Sequence, residues 1–104
     1  MEELLGWPGE AQITAWKMSH EIGIFAVKKA GRIAFFKKPG FKEIDAYYAL
    51  GKKELGVTDE WKALCGMLWL GGDRELIDSP LYLPSVAREV QKQMAGEETE
   101  LVNL

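Results

Sequence analysis

The chain has 104 residues, of which 47% are apolar and 11% aromatic, so it is long enough to bury a core of its own. Its net charge is −3, which argues against general charge-driven binding to nucleic acid. A single cysteine, Cys65, excludes an internal disulfide, and no run of about 18 apolar residues predicts a membrane-spanning helix.

The chain is predicted to form one domain over residues 1–104, since it contains no repeat, no low-complexity tract and no dividing linker. Its start, "MEELLGWPGE", is acidic and lacks the basic-then-apolar pattern of a secretion signal. A lone cysteine suits a reducing compartment. We therefore expect a cytoplasmic protein that does not enter the membrane.

Residues 1–9 are predicted to form an irregular N-terminal arm that ends at Pro8-Gly9. Residues 10–21 follow with apolar side chains at helical spacing, which predicts a short helix, and Gly23 suits its end. The arm carries three apolar side chains that could anchor it or contact another protein: Leu4, Leu5 and Trp7.

Two runs rich in Ile, Val and Phe, Ile24–Lys28 and Arg32–Lys37, predict a β-hairpin. The intervening Lys29-Ala30-Gly31 is typical of a three-residue loop with glycine in the left-handed position. Pro39 has no N–H group and ends the second strand. In this register four side chains would share one face: Phe25, Val27, Ile33 and Phe35.

After Pro39 the apolar spacing becomes helical through about residue 54, which would place Phe41, Ile44 and Tyr48 on one side. Thr58 is then the predicted N-cap of a further helix. That helix has an apolar stripe formed by Trp61, Leu64, Cys65 and Leu68, which Met67, Trp69 and Leu70 extend around its end.

The last helix is predicted to start at Pro84, because a start at Pro80 would put the ring of Pro84 in the second turn. Its apolar stripe is Val86, Val90 and Met94, and Gly96 would end it. Residues 97–104 are predicted to form a loose acidic tail. Three apolar residues of this tail are available to dock on another surface: Leu101, Val102 and Leu104.

The segment "MLWLGGDREL" contains Gly71-Gly72-Asp73, which would be either a ligand-binding loop or a helix stop. Phosphate loops need several glycines that lead into a helix, usually after a strand and with a lysine or hydroxyl group. Here the glycines follow an apolar helix, so we favour the helix stop. Asp73 is expected to cap the short turn Arg74–Ile77.

Catalytic, cofactor and metal sites are not predicted. His20 is the only histidine, and nothing in its sequence context or that of Cys65 marks an activated pair. Cys65 lies on the apolar stripe of its helix, where an inert core residue is expected. The acidic group around residues 73–78 lacks the ligand spacing of a calcium loop.

Basic residues are concentrated between Ile22 and Lys42, a window without any acidic residue. Together with phenylalanines they could form a hairpin that binds single-stranded nucleic acid. The alternative is that the phenylalanines are core and the lysines protect strand edges, which the acidic remainder of the chain favours. The basic hairpin residues are Lys28, Lys29, Arg32, Lys37 and Lys38.

The order of these elements resembles small phage and prophage proteins of the tail-assembly-chaperone type over about residues 22–95. The resemblance is carried by "FFKKPGFKEIDAYYAL", by "LCGMLWLGGDREL" and by a final amphipathic helix. It implies no catalytic residues. It implies a role in tail morphogenesis, in which such proteins coat the helical tape-measure protein before the tail tube forms.

We therefore predict an α+β fold with one β-hairpin and about four short helices. The expected function is non-enzymatic: a tail-assembly chaperone that binds the tape-measure protein and self-associates in the host cytoplasm. The alternatives are a small virion protein that forms a ring or tube, and a nucleic-acid-binding hairpin module.

Overall fold

The computed structural model describes residues 4–95 and 101–103, and within them it contains one three-stranded antiparallel sheet and five helices. The predicted α+β class is confirmed. The strands are β1 (Ile24–Lys29), β2 (Arg32–Lys37) and β3 (Trp69–Gly72). The helices are α1 (Glu10–Ser19), α2 (Phe41–Leu50), α3 (Val57–Leu68), α4 (Glu75–Asp78) and α5 (Leu83–Met94).

The hairpin turn is one residue shorter than predicted. Lys29 pairs with Arg32, so only Ala30 and Gly31 lie in the loop. Their φ angles are 53° and 74°, and two successive positive φ values characterise the type I′ turn. The prediction of a three-residue loop was wrong because alanine gives no sequence signal for a left-handed conformation.

The shorter loop changes which side chains share a face of the sheet. Phe25 lies opposite Phe36 and Val27 lies opposite Ala34. Because side chains alternate along a strand, shifting the pairing by one residue moves β2 side chains to the other face. The predicted face of Phe25, Val27, Ile33 and Phe35 was therefore wrong.

Strand β2 is central in the sheet and buried on both faces. Four consecutive side chains, from Ile33 to Phe36, are each no more than 5% exposed. Ala34 and Phe36 belong to the principal core, beneath α3, α4 and α5, whereas Ile33 and Phe35 belong to a second core with α1. The sheet therefore lies between two layers.

The apolar stripes predicted for α3 and α5 are confirmed. Leu64, Cys65 and Leu68 are completely buried, and Val86 and Val90 are buried opposite them in the same principal core. Pro84 lies in the first turn of α5, where its missing N–H group costs no helical hydrogen bond. The predicted start of this helix was correct to within one residue.

Helix α2 differs most from its prediction. It ends at Leu50 rather than near residue 54, and none of its residues is buried. Ile44 and Tyr47 pack against the principal core, whereas Phe41 is 89% exposed and Tyr48 is 66% exposed. The next helix, α3, begins directly after Gly56, so Thr58 is not its N-cap.

The N-terminal arm is attached to the sheet. The N–H group of Leu5 donates to the carbonyl oxygen of Gly31, and the N–H group of Ile33 donates to that of Leu5, both at 2.9 Å. These bonds form a parallel bridge beside β2, on the edge that also pairs with β3. The arm is therefore partly ordered by strand pairing.

We predict that Ala30→Asn raises the free energy of unfolding by about 0.5–1 kcal/mol. Asparagine tolerates the left-handed conformation better than alanine, and Asn-Gly is a preferred type I′ pair. Urea unfolding measures the change. The control is Ala46→Asn on the exposed side of α2, which should instead cost about 0.5 kcal/mol of helix propensity. Equal effects at both positions would contradict the turn assignment.

Candidate functional site

The Gly71-Gly72-Asp73 segment is not a helix stop, and that prediction was wrong. Helix α3 ends at Leu68, and the chain continues in an extended conformation as β3. Gly71 pairs with Phe35 and Gly72 with Ala34 of β2. Trp69 packs on the principal core and Leu70 on the second core, so the alternation of a strand replaces the predicted helical wrap.

Glycine is required at this junction because three backbone segments meet there. Gly72 has a φ of 125°, and a Cβ atom on it would lie 2.5 Å from the carbonyl oxygen of Ile33. Gly6 in the arm has a φ of 91°, and its Cβ would lie 2.3 Å from the backbone nitrogen of Asp73. Neither distance is compatible with a side chain. The glycines therefore serve close backbone packing.

Asp73 links β2 to the start of α4. Its Oδ2 atom accepts a 2.6 Å hydrogen bond from the Arg32 guanidinium, and its Oδ1 atom accepts one from the Glu75 N–H group at 3.0 Å. Asp73 therefore contacts the start of this turn, but the predicted cap is displaced by one residue, since α4 is Glu75–Asp78 and Arg74 is at its N-cap position. The bond to Asp73 is also the main reason that the pKa of Arg32 is raised. Both carboxylate oxygens are engaged within the fold, which does not favour a ligand-binding loop.

The basic hairpin residues do not form one continuous cationic surface. Arg32 pairs with Asp73, and the Lys37 ammonium lies 3.0 Å from the carboxylate of Glu43. The hydrogen bond from Lys37 is the main cause that lowers the pKa of Glu43. Phe35 and Phe36 are buried, so they offer no exposed ring for base stacking.

The remaining members of that cationic group lie apart along the hairpin. Lys28 and Lys29 are at the turn end of β1, and Lys38 follows the end of β2. The backbone N–H group of Lys38 donates to the carbonyl oxygen of Gly23 at the opposite end of the hairpin. This separation favours lysines that protect separate strand edges over a single stripe that binds nucleic acid.

The structure does not bring His20 and Cys65 together. Cys65 is completely buried in the principal core, and burial raises the pKa of its thiol to about 12. His20 lies directly after α1 and borders a surface depression shared with Lys37 and Lys38. A protonated, inaccessible thiol is not a nucleophile.

Two of the three acidic residues around α4 are paired with arginines. Asp73 binds Arg32, and an Asp78 oxygen lies 3.7 Å from the Arg74 side chain. Across residues 4–95 and 101–103, no group of three or more His, Cys, Asp or Glu side chains is placed to hold a metal ion. No helix in those ranges is long and apolar enough to cross a bilayer.

The terminal residues predicted to contact other proteins fall into two groups. Leu4 packs on the second core, and the Trp7 ring lies 6.0 Å from that of Phe35, whereas Leu5 remains 57% exposed. At the other end, Leu101 is 89% and Val102 is 66% exposed, and Leu104 lies outside the described residues. The arm therefore partly belongs to the fold, while the C-terminal pair is accessible.

An additional apolar surface on α2 was missed by sequence reasoning. Phe41 and Tyr48 are separated by about two helical turns, so they lie on the same side of the helix. We refer to this pair as the α2 aromatic face. Helical spacing gave no signal for this surface, because packing decides that Ile44 and Tyr47 supply the contacts of α2 with the core.

Comparisons of the chain with protein-family models, with curated proteins and with solved structures found no match.

We predict that Gly72→Ala lowers the free energy of unfolding by at least about 2 kcal/mol, because the new methyl group combines positive-φ strain with backbone overlap. Thermal or urea unfolding measures the loss. The matched control is Gly66→Ala in α3, where an added Cβ meets nothing within 4 Å. That change should stabilise the helix by about 0.5–1 kcal/mol. A tolerated Gly72→Ala would contradict the close packing.

We also predict that the Cys65 thiol reacts with a disulfide reagent in the native protein at least about 100-fold more slowly than in urea. Comparable rates would contradict the burial. Stability should also depend on alkaline pH. An unfolded thiol has a pKa of about 8.5, and that of the folded thiol is about 12. Between these values the unfolded chain binds fewer protons, so stability falls as pH rises.

Between about pH 8.5 and about pH 12 the free energy of unfolding should fall with pH by up to about 1.4 kcal/mol per pH unit more than that of Cys65→Ala. Unfolding of both proteins in urea at pH 8 and pH 10 measures it. Parallel pH dependence in the two proteins would show that the thiol does not titrate differently in the folded and unfolded states.

Proposed function

We propose that this chain is a non-enzymatic phage or prophage tail-morphogenesis protein, an assembly chaperone that binds the tape-measure protein. The element order is consistent with the resemblance that suggested this role. Strand β2 ends at Lys37 shortly before Pro39, α2 follows, and α3 leads directly into the Trp69–Asp73 segment. The final helix, α5, is strongly amphipathic, as the resemblance implies.

The observation that carries the proposal is the α2 aromatic face. Phe41 is 89% exposed and Tyr48 is 66% exposed, although large rings usually dominate buried contacts. The adjoining side of α2 packs against the principal core through Ile44 and Tyr47. The helix is therefore fixed in place while it presents two rings to solvent, which is the arrangement of an interaction surface.

This surface suits a helical client. An apolar stripe on a partner helix could pack against Phe41 and Tyr48 at helical spacing, as in other helix recognition. Two rings give only a modest affinity per contact. A long client with repeated apolar faces would nevertheless be held firmly, because many weak contacts act together.

The test is co-expression with the tape-measure protein of the phage or prophage that encodes this chain. We expect the parent chain to keep the client soluble and to co-purify with it. The double variant Phe41→Ser and Tyr48→Ser should lose at least about tenfold in co-purified client, the equivalent of 1.4 kcal/mol. Both side chains are exposed, so the variant should remain folded, which a thermal melt verifies.

The matched control is Leu81→Ser, which removes a 77% exposed apolar side chain between α4 and α5 and should leave the yield unchanged. Equal losses of co-purified client in the double variant and in the control would indicate non-specific apolar association and contradict a specific α2 surface. A parent chain that forms rings or tubes by itself and ignores the client would instead support the virion-component alternative.

A further inference from the structure

Strand β1 has an open edge. Lys29 and Arg32 close a two-residue turn and form a hydrogen-bonded pair, as do the alternate pairs farther along the hairpin. The intervening residues, Ile24, Ala26 and Lys28, direct their N–H and C=O groups away from β2. Within residues 4–95 and 101–103, none of these backbone groups has a hydrogen-bond partner. Such an edge is a template for an added strand.

Clefts lie beside this edge on both faces of the sheet. One, of about 440 Å³, lies between Phe25–Lys29 and the α5 residues Ser85, Glu89 and Gln93. The other, of about 360 Å³, lies between Ile24, Ala26 and the α1 residues Ile13 and Lys17. A strand added to β1 would place alternate side chains in these two clefts.

We propose that the open edge of β1 binds the tail segment, residues 97–103, of a second copy of this chain as a fourth strand. This inference does not depend on the proposed function, because it uses a surface other than the α2 aromatic face. The backbone of β1 supplies the hydrogen bonds, and the two clefts receive the side chains. Binding of this kind is β-strand addition.

The tail segment has the side chains that the edge requires. Leu101 and Val102 are adjacent, so in an extended strand they point to opposite faces and one would enter each cleft. Both are exposed in the chain that carries them, at 89% and 66%. They are therefore outside the clefts of their own chain.

The charges around the edge are also complementary. The two clefts are bordered by three lysines and only two glutamates, so the edge has an excess of positive charge. The lysines are Lys17, Lys28 and Lys29, and the glutamates are Glu10 and Glu89. The tail segment carries three acidic residues and no basic one: Glu97, Glu98 and Glu100. An acidic strand is attracted to this edge, whereas a second β1 carries the same excess of lysines and has no acidic residue to offer.

The donor segment can reach a neighbouring molecule. Leu101 lies six positions after Ala95, and an extended chain of six residues spans about 20 Å. The donor and acceptor surfaces differ, so the contact is heterologous and each copy can both give and receive a strand. Such contacts produce closed rings, of which a dimer with reciprocal exchange is the smallest, or open filaments.

Two full-length variants separate the two sides of the contact. Ala26→Pro removes an N–H group that points away from β2, so it blocks the edge without breaking a bond of the hairpin. Ala26→Thr is its control, because it keeps the N–H group. Leu101→Asp with Val102→Asp removes the apolar side chains of the donor and leaves the edge intact.

Sedimentation velocity measures the self-association of the parent and of each variant. We expect the parent and Ala26→Thr to self-associate, and each of the other two variants to self-associate at least tenfold more weakly. An equimolar mixture of Ala26→Pro with the tail variant should form a one-to-one complex, since one retains the donor and the other retains the edge. Thermal melts verify that each variant is folded.

Three results would overturn the proposal. One is a parent chain that is monomeric at about 1 mM, which corresponds to association weaker than about 4 kcal/mol. A second is a tail variant that associates like the parent, as a β1–β1 contact would produce. The third is a mixture that remains monomeric although both variants are folded.

Discussion

The burial of β2 on both faces is the constraint on which the rest of the structure depends. Ile33, Ala34, Phe35 and Phe36 form an unbroken apolar run, and alternation sends neighbouring side chains to opposite sides of the sheet. Neither side can remain in contact with water at low cost, because burying one large apolar side chain is worth about 1.5–3 kcal/mol. The chain therefore has to supply a layer on each side: α1 on one, and α3 to α5 on the other.

A strand buried in this way must also have its backbone groups paired along both edges. Strand β1 serves one edge, and β3 together with Leu5 serves the other. This second edge explains why glycine occurs at Gly6 and Gly72, where a Cβ would overlap the neighbouring backbone. The ion pair between Arg32 and Asp73 then connects β2 to the chain that leaves β3.

The sequence predicted well those features that repeat over several helical turns or that follow from a strict steric restriction. The stripes of α3 and α5 repeat over several turns, and Pro84 can occupy only the start of a helix. The errors arose where a tertiary contact decided between two local options. The apolar pattern at Trp69 and Leu70 fits a helix as well as a strand. Pairing with β2 selects the strand. The left-handed Ala30 had no sequence signal at all, and it reversed the faces of β2.

The candidate interaction surfaces could be predicted only in part for the same reason, because they consist of side chains and backbone groups that remain exposed after the core has formed. The exposure of Phe41 depends on Ile44 and Tyr47 taking the core contacts of α2, which follows from packing and not from helical period. The open edge of β1 likewise follows from β3 joining the opposite side of β2. These two surfaces lie on different elements, so the proposed contacts with a client and the proposed contacts between copies need not compete. A chaperone that coats a long helical client benefits from both, because neighbouring copies joined to each other turn many weak client contacts into one strong attachment.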